Sequence, residues 1–197
     1  MSVSGLALTA VLLSSLTGAA EQEAQFLLRQ QYDTSCGFAV TASLLTCWYG
    51  YEVSEKTLID TELEDAEDPN YVISFFAISE ILNRYTVASQ GFHMDIQKLP
   101  QTLQDFGPLI CWDNEEEGHF FLLLDIFQEG PDLVYVIGDP SSGIIYADRK
   151  EFSRQWSGRI LVSAASSRNY PDTDQLRTYY RSFLHTHDAL FGFGALR

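Results

Sequence analysis

The hydrophobic period of this 197-residue chain changes at Gly107, and that change sets its fold class. Ahead of it, apolar residues recur at helical spacing. Ser74–Arg84 carries them at positions 75, 76, 78, 81 and 82, and Ser54 stands as a cap before a helical run to Ile59. Leu99–Phe106 reads as a helix with Pro100 in its first turn, while Phe92–Ile96 alternates like a short strand, with His93 partly exposed on it. Beyond Gly107 the chain breaks into short apolar runs: Pro108–Trp112, His119–Phe127, Leu133–Gly138, Gly143–Tyr146 and Arg159–Val162. Glu129–Asp132 and Ser141–Gly143 supply the turns of an antiparallel meander, and Arg149–Gly158 reads as a short helix before the last strand. Helices first and strands second predict an α+β domain, a helical lobe followed by an antiparallel sheet lobe.

The most distinctive stretch is Gln30–Gly50. Polar turn residues lead into an apolar run (Phe38, Ala39, Val40, Ala42, Leu44, Leu45, Trp48) that reads as a helix buried on nearly all sides, with Gly50 as its stop. Thr34 and Ser35 are good N-cap residues, which places Cys36 on the first turn. The positive end of a helix dipole favours a thiolate there. A lone cysteine at a helix start is more often a packing residue, so the rest of the chain has to decide.

Composition narrows the partners. Lys and Arg number 12 against 27 Asp and Glu, a net charge of −15, which argues against nucleic acid and against an anionic membrane surface. The chain is long and apolar enough (46% hydrophobic) for one packed domain. Cys36, Cys47 and Cys111 form no CxxC and no disulfide framework. Cys36 and Cys47 stand roughly 16 Å apart on one helix, so a Cys47–Cys111 bridge is the only pairing that spares Cys36.

The two ends differ from the body. Met1–Ala20 has no charged side chain, centres on Leu6–Leu13 and ends in small residues. It reads as a secretory signal peptide cut near Ala20, although it lacks a basic start; a retained anchor or a cytosolic helix are the alternatives. On this reading residues 21–165 form the domain, residues 166–197 a C-terminal extension, and the protein is periplasmic or secreted. Thr173–Leu184 has the pattern of an amphipathic helix, and Leu190–Leu196 is an apolar, Gly-rich end. His185 and His187 make a His-x-His pair, but two ligands do not close a zinc site. The acidic residues of Thr61–Asn70 lack calcium-loop spacing and read as a solvated loop. No metal or cofactor is expected.

A thiol hydrolase needs a thiolate, an imidazole to exchange its proton, a group that orients the imidazole, and donors for an oxyanion. Cys36 fits the first role. His119 opens an apolar strand, which would hold its backbone rigid. Asp139 ends the third strand, from which its carboxylate would fix the His119 tautomer, although an aspartate before Pro140 is also an ordinary turn residue. Gln30, six positions before Cys36, would bring its amide beside the Cys36 backbone N–H. Asp113 and Glu115–Glu117 crowd the loop ahead of His119, where they would favour its protonated form and attract cationic peptide segments.

Gln30–Gly37, Gly118-His119-Phe120, Gly138-Asp139-Pro140, and Glu151-Phe152 with Trp156-Ser157-Gly158 occur in the order and setting that resemble the bacteriocin-processing, double-glycine peptidases, which are papain-like cysteine peptidases. The resemblance runs from about Phe26 to Val162. It implies Cys36 as nucleophile, His119 as base and acid, Asp139 as orienting carboxylate and Gln30, rather than Gln31, as oxyanion donor. The chain departs from the family's transporter-borne members: it shows neither a transmembrane bundle nor a P-loop and carries an export-like start. It looks more like stand-alone exported members, some of which accompany systems that export fibre subunits in Gram-negative bacteria. Phe38, where the family commonly has a small residue, is expected to narrow the space beside the nucleophile.

The resemblance implies an exported cysteine endopeptidase acting after Gly-Gly type sites. Its partner would be a peptide or protein, such as a leader or fibre subunit, with no nucleic acid and no membrane contact beyond the N-terminal segment. Two alternatives stay open: a silent peptidase-like domain that binds peptides as a chaperone or regulator, and a thiol enzyme of another reaction type.

Overall fold

A computed structural model describes residues 22–63, 73–113, 118–165 and 170–191, with side chains as far as Ser182. The helices are α1 (Cys36–Ser43), α2 (Glu55–Leu63), α3 (Phe75–Arg84), α4 (Leu99–Phe106), α5 (Arg149–Gln155) and α6 (Asp174–Phe191). The strands are β1 (Ala88–His93), β2 (Leu109–Asp113), β3 (Phe120–Glu129), β4 (Asp132–Asp139), β5 (Gly143–Asp148) and β6 (Trp156–Ala164). All pair antiparallel in one sheet of order β1-β6-β2-β3-β4-β5. Strands β2 to β5 are the expected meander, and α5 carries the chain back so that β6 joins the other side of β2. The α+β reading holds.

Local chemistry explains most boundaries and corrects a few. Ser54 and Ser74 cap α2 and α3: Ser54 Oγ accepts the Thr57 N–H at 3.1 Å and Ser74 Oγ that of Ala77 at 3.2 Å. Ser35 precedes α1 without capping it, because its hydroxyl donates backward to the Tyr32 carbonyl at 2.7 Å. The long apolar helix passes into a π-turn at Leu44–Trp48 before Gly50. The strand expected at Phe92–Ile96 lies earlier, at Ala88–His93. Ile96–Lys98 instead form a 3₁₀ turn into α4. Trp156–Gly158, expected in the helix, open β6 after a capping box (Asp148 with Glu151) has fixed α5. Of the acidic stretch, Thr61–Leu63 belong to α2. Residues 64–70, Met1–Ala20, Glu115–Glu117 and the end from Gly192 lie outside the described residues.

The sheet is covered on both faces, which is why β3 reads as a nearly unbroken apolar run. Ile110, Phe120, Leu122, Val136 and Leu161 face one core with Phe38, Val40, Leu44 and Trp48 of the central helix and Ile78, Ile81 and Leu82 of α3. Their neighbours Leu109, Cys111, Phe121, Leu123, Tyr135 and Ile160 face a second core with Leu99 and Leu103 of α4 and Phe152 of α5. A bulge between Leu123 and Asp125 reverses this alternation, so Phe127 rejoins the first face. Helix α6 docks there: Leu176 is fully buried, Arg177 bonds Asp125 at 2.9 Å and Tyr180 meets Phe127 edge-on. Cys36, Cys47 and Cys111 are all free thiols, so the Cys47–Cys111 bridge is absent. Phe38 is buried in the first core, packed there rather than narrowing the space beside Cys36. Among the described residues no helix is long and apolar enough to cross a membrane.

Candidate active site

One cleft of about 690 Å³ brings together the start of α1, the entry to β3 and the exit of β4. Cys36, half-buried, opens α1 beside Gly37, whose missing side chain lets Ile73 and Phe120 press against the helix; a Cβ there would collide with Ile73 and crowd Phe120. Gly118 takes φ +69° under the Trp112 ring, where a Cβ would also collide, and so turns the chain into His119. The Asp113 carboxylate accepts the His119 backbone N–H at 2.8 Å, and the Asp113 N–H donates to the His119 carbonyl at 3.1 Å. These bonds fix the histidine at the mouth of β3.

Nε2 of His119 lies 3.2 Å from Oδ2 of Asp139, with 24% and 17% of the two side chains exposed. The N–H is aimed off the oxygen, so this is an ion-pair contact rather than an aligned hydrogen bond. Cys36 and His119 line the same cleft, close enough for the sulfur to act on the imidazole. Burial disfavours a charged imidazole, but the Asp139 carboxylate and the Cys36 sulfur outweigh it and push the His119 pKa up to about 10. Burial likewise opposes charge on Asp139, yet the His119 contact and the hydrogen bonds from Ser141 and Ser142 hold its carboxyl well below the usual range. By contrast, burial pushes the Cys47 thiol up to about 11 and Cys111 higher still, which leaves both as packing thiols.

Asp139 serves as turn residue and as partner of the histidine at once. Its Oδ1 accepts the Ser141 N–H at 2.7 Å, the Ser141 hydroxyl at 2.6 Å and the Ser142 N–H at 2.9 Å. That network aims Oδ2 at His119. Ser141 is a residue that reading for catalytic types passes over, although Asp-Pro-Ser-Ser is a recognisable Asx-turn sequence.

Gln30 is placed differently from the other three. Its backbone N–H donates to the Pro140 carbonyl at 2.8 Å, which ties it to the Asp139 turn. Its amide nitrogen donates to the carbonyls of Tyr32 at 3.0 Å and Asp33 at 3.4 Å, so the side chain braces the loop into Cys36, and Gln30 does not line the cleft. The rim mixes polar Asp33, Thr34 and Gln155 with apolar Trp112, Ile137 and Ile145. Among the described residues no group of three or more His, Cys, Asp or Glu is placed to hold a metal, and the side chains of His185 and His187 lie outside the description.

Comparison with known proteins bears on the family and the fold. Residues 25–168 match the model of the Peptidase C39 family. The peptidase domain of Streptococcus ComA, a bi-functional ABC transporter involved in a quorum-sensing pathway, superimposes with a TM-score of 0.59 at 20% identity, covering 72% of this chain and 99% of that one. A double glycine motif protease from an AMS/PCAT transporter, in complex with its leader peptide, gives 0.55 at 21% identity, covering 71% and 91%. The N-terminal C39-like domain of a toxin secretion ATP-binding protein from Vibrio parahaemolyticus gives 0.50 at 14% identity, covering 70% and 100%. No curated protein matches the sequence at a significant level. With its sheet, its cysteine-bearing helix and a family match over most of its length, the chain belongs to the Peptidase C39 family and has the papain-like cysteine peptidase fold.

Proposed function

We propose that the protein is an exported cysteine endopeptidase that cuts peptide or protein substrates after a Gly-Gly type site, within a bacterial secretion or fibre-assembly system. What carries the reading is the meeting of Cys36, His119 and Asp139 in one cleft. The sulfur of Cys36 attacks the scissile carbonyl carbon, and an S–C bond forms as the carbonyl oxygen takes the negative charge. The imidazolium of His119 gives its proton to the leaving amine, the C–N bond breaks, and an acyl-enzyme remains. His119, now neutral, takes a proton from water, whose oxygen attacks the thioester and releases Cys36. Asp139 keeps the imidazole oriented through both steps. The first N–H groups of α1 serve the oxyanion, and the Gln30 amide joins them when it leaves the carbonyls of Tyr32 and Asp33 that it holds in this structure.

The double glycine motif protease in complex with a leader peptide supports a peptide substrate. The uncharged run of Met1–Ala20 supports export to the periplasm or beyond, with Glu21 as the first mature residue. Mass spectrometry of the mature N-terminus tests the export; an uncut Met1 overturns cleavage there.

Hydrolysis is tested by incubating wild type and Cys36→Ala with Gly-Gly peptides. Wild-type cleavage at one bond, absent in the variant, is the expected result. The silent peptide-binding reading draws on one observation, the Gln30 amide committed to loop carbonyls. Peptide binding by wild type with no turnover would decide for it.

A further inference from the structure

One carboxylate beside this site has no part in the reaction described. Glu55 opens α2, yet it is only 3% exposed. A carboxylate so far from water is costly unless it is bonded. Its Oε2 accepts the backbone N–H of Gln31, 24 residues earlier, at 2.9 Å. Among the described residues no donor reaches Oε1. Helix α2 does not need this side chain as its cap, since the Ser54 hydroxyl already accepts the Thr57 N–H. The bond that keeps the carboxylate in place therefore runs to the loop that leads into Cys36.

That loop has a second anchor on the next peptide group. The Gln30 N–H donates to the Pro140 carbonyl at 2.8 Å, and Arg29 donates to the Ser141 carbonyl at 2.8 Å. The N–H groups on both sides of the Gln30 Cα are thus held, one by the turn of Asp139 and one by Glu55. Tying both peptides fixes the direction in which the Gln30 side chain leaves the backbone.

We propose that Glu55 is a positioning residue for the oxyanion side of the cleft: its buried carboxylate holds the Gln31 N–H and so sets the backbone from which the Gln30 amide, resting here on the carbonyls of Tyr32 and Asp33, reaches the oxyanion. This rests on the peptidase reading, and two readouts separate their failures. Peptide hydrolysis passes through an oxyanion. Alkylation of Cys36 by iodoacetamide displaces iodide at a saturated carbon and forms none, so it reports on the Cys36–His119 pair alone.

With a fluorogenic peptide carrying a Gly-Gly site, Glu55→Ala is expected to lower kcat on the order of 10- to 100-fold with KM within about twofold of wild type. The rate of Cys36 alkylation stays unchanged, and Glu55→Ala adds little in a Gln30→Ala background. Glu55→Gln, which keeps an acceptor at the same reach, retains activity. If Glu55→Ala does not fold, Glu55→Asp, one methylene shorter, carries the test against Glu55→Gln. Unchanged kcat overturns the inference, as do losses that simply add to those of Gln30→Ala, or alkylation slowed in parallel with hydrolysis. A wild type that alkylates but cleaves no peptide overturns the peptidase reading itself and takes this inference with it.

Discussion

Asp139 divides its two oxygens between holding the turn and holding the histidine. Because Oδ1 takes three hydrogen bonds from Ser141 and Ser142, the carboxylate is aligned before any substrate arrives. Asp139→Asn, which removes the charge but keeps the shape, is predicted to cut kcat/KM on the order of 100-fold or more in a steady-state assay with the Gly-Gly peptide. Ser141→Ala removes one of the three bonds and costs less, about threefold to tenfold. The pH profile follows from His119, whose protonated form must donate to the leaving amine. With its pKa raised to about 10, kcat/KM should hold through neutrality and fall as pH rises through that region. Asp139→Asn should move this alkaline limb toward lower pH, and an unmoved limb would refute the pairing. Stability has the same sign: the contribution of His119 is complete below the ordinary imidazole value of 6.5 and is lost on the way up to about 10. Asp139, shifted the other way, contributes above the ordinary carboxylate value of 3.8 and loses that only in strong acid.

At the level of elements, the site depends on how closely α1 approaches β3. Gly37 is where the helix, Ile73 and Phe120 meet. Gly37→Ala is predicted to destabilise the fold by about 1–3 kcal/mol, measured by urea denaturation, and to lower activity by pushing Cys36 off His119. The C-terminal segment is an integral part of the body through its first turns. Leu176 is fully buried, its carbonyl accepts the Tyr146 hydroxyl at 2.9 Å, and Arg177 bonds Asp125. Leu176→Ala should cost roughly 2–4 kcal/mol of stability with little change in KM. The amphipathic pattern of Thr173–Leu184 made this helix legible. Its landing place was not legible, because the bulge between Leu123 and Asp125 that turns Phe127 and Asp125 toward it depends on the pairing of β3 with β4.

For the molecule as a whole, the net charge of −15 is a long-range property that no single contact expresses. Cationic peptides should be drawn to the cleft, whose rim includes Asp33. We predict that kcat/KM for a Lys-rich Gly-Gly peptide falls several-fold as salt rises from about 10 mM to 150 mM, while a neutral analogue changes little. Equal salt dependence for the two peptides would rule out steering. The order of the strands is also a whole-molecule outcome: β6 returns to lie between β1 and β2, which closes the second core over Phe152 and Trp156.

The sequence by itself determined the periods, the cap at Ser54, the Pro-led α4, and the residue types a thiol peptidase requires, because these rest on contacts within a few positions or on side-chain chemistry alone. Only the tertiary structure decided that Cys47 and Cys111 stay apart, that Phe38 packs into the core, that the Ser35 hydroxyl turns back to Tyr32, and that Gln30 braces its loop. It also placed Glu55 beneath that loop. Each of these depends on which surfaces meet across tens of residues, and burial, which sets the cost of every unpartnered polar group, exists only once those surfaces have met.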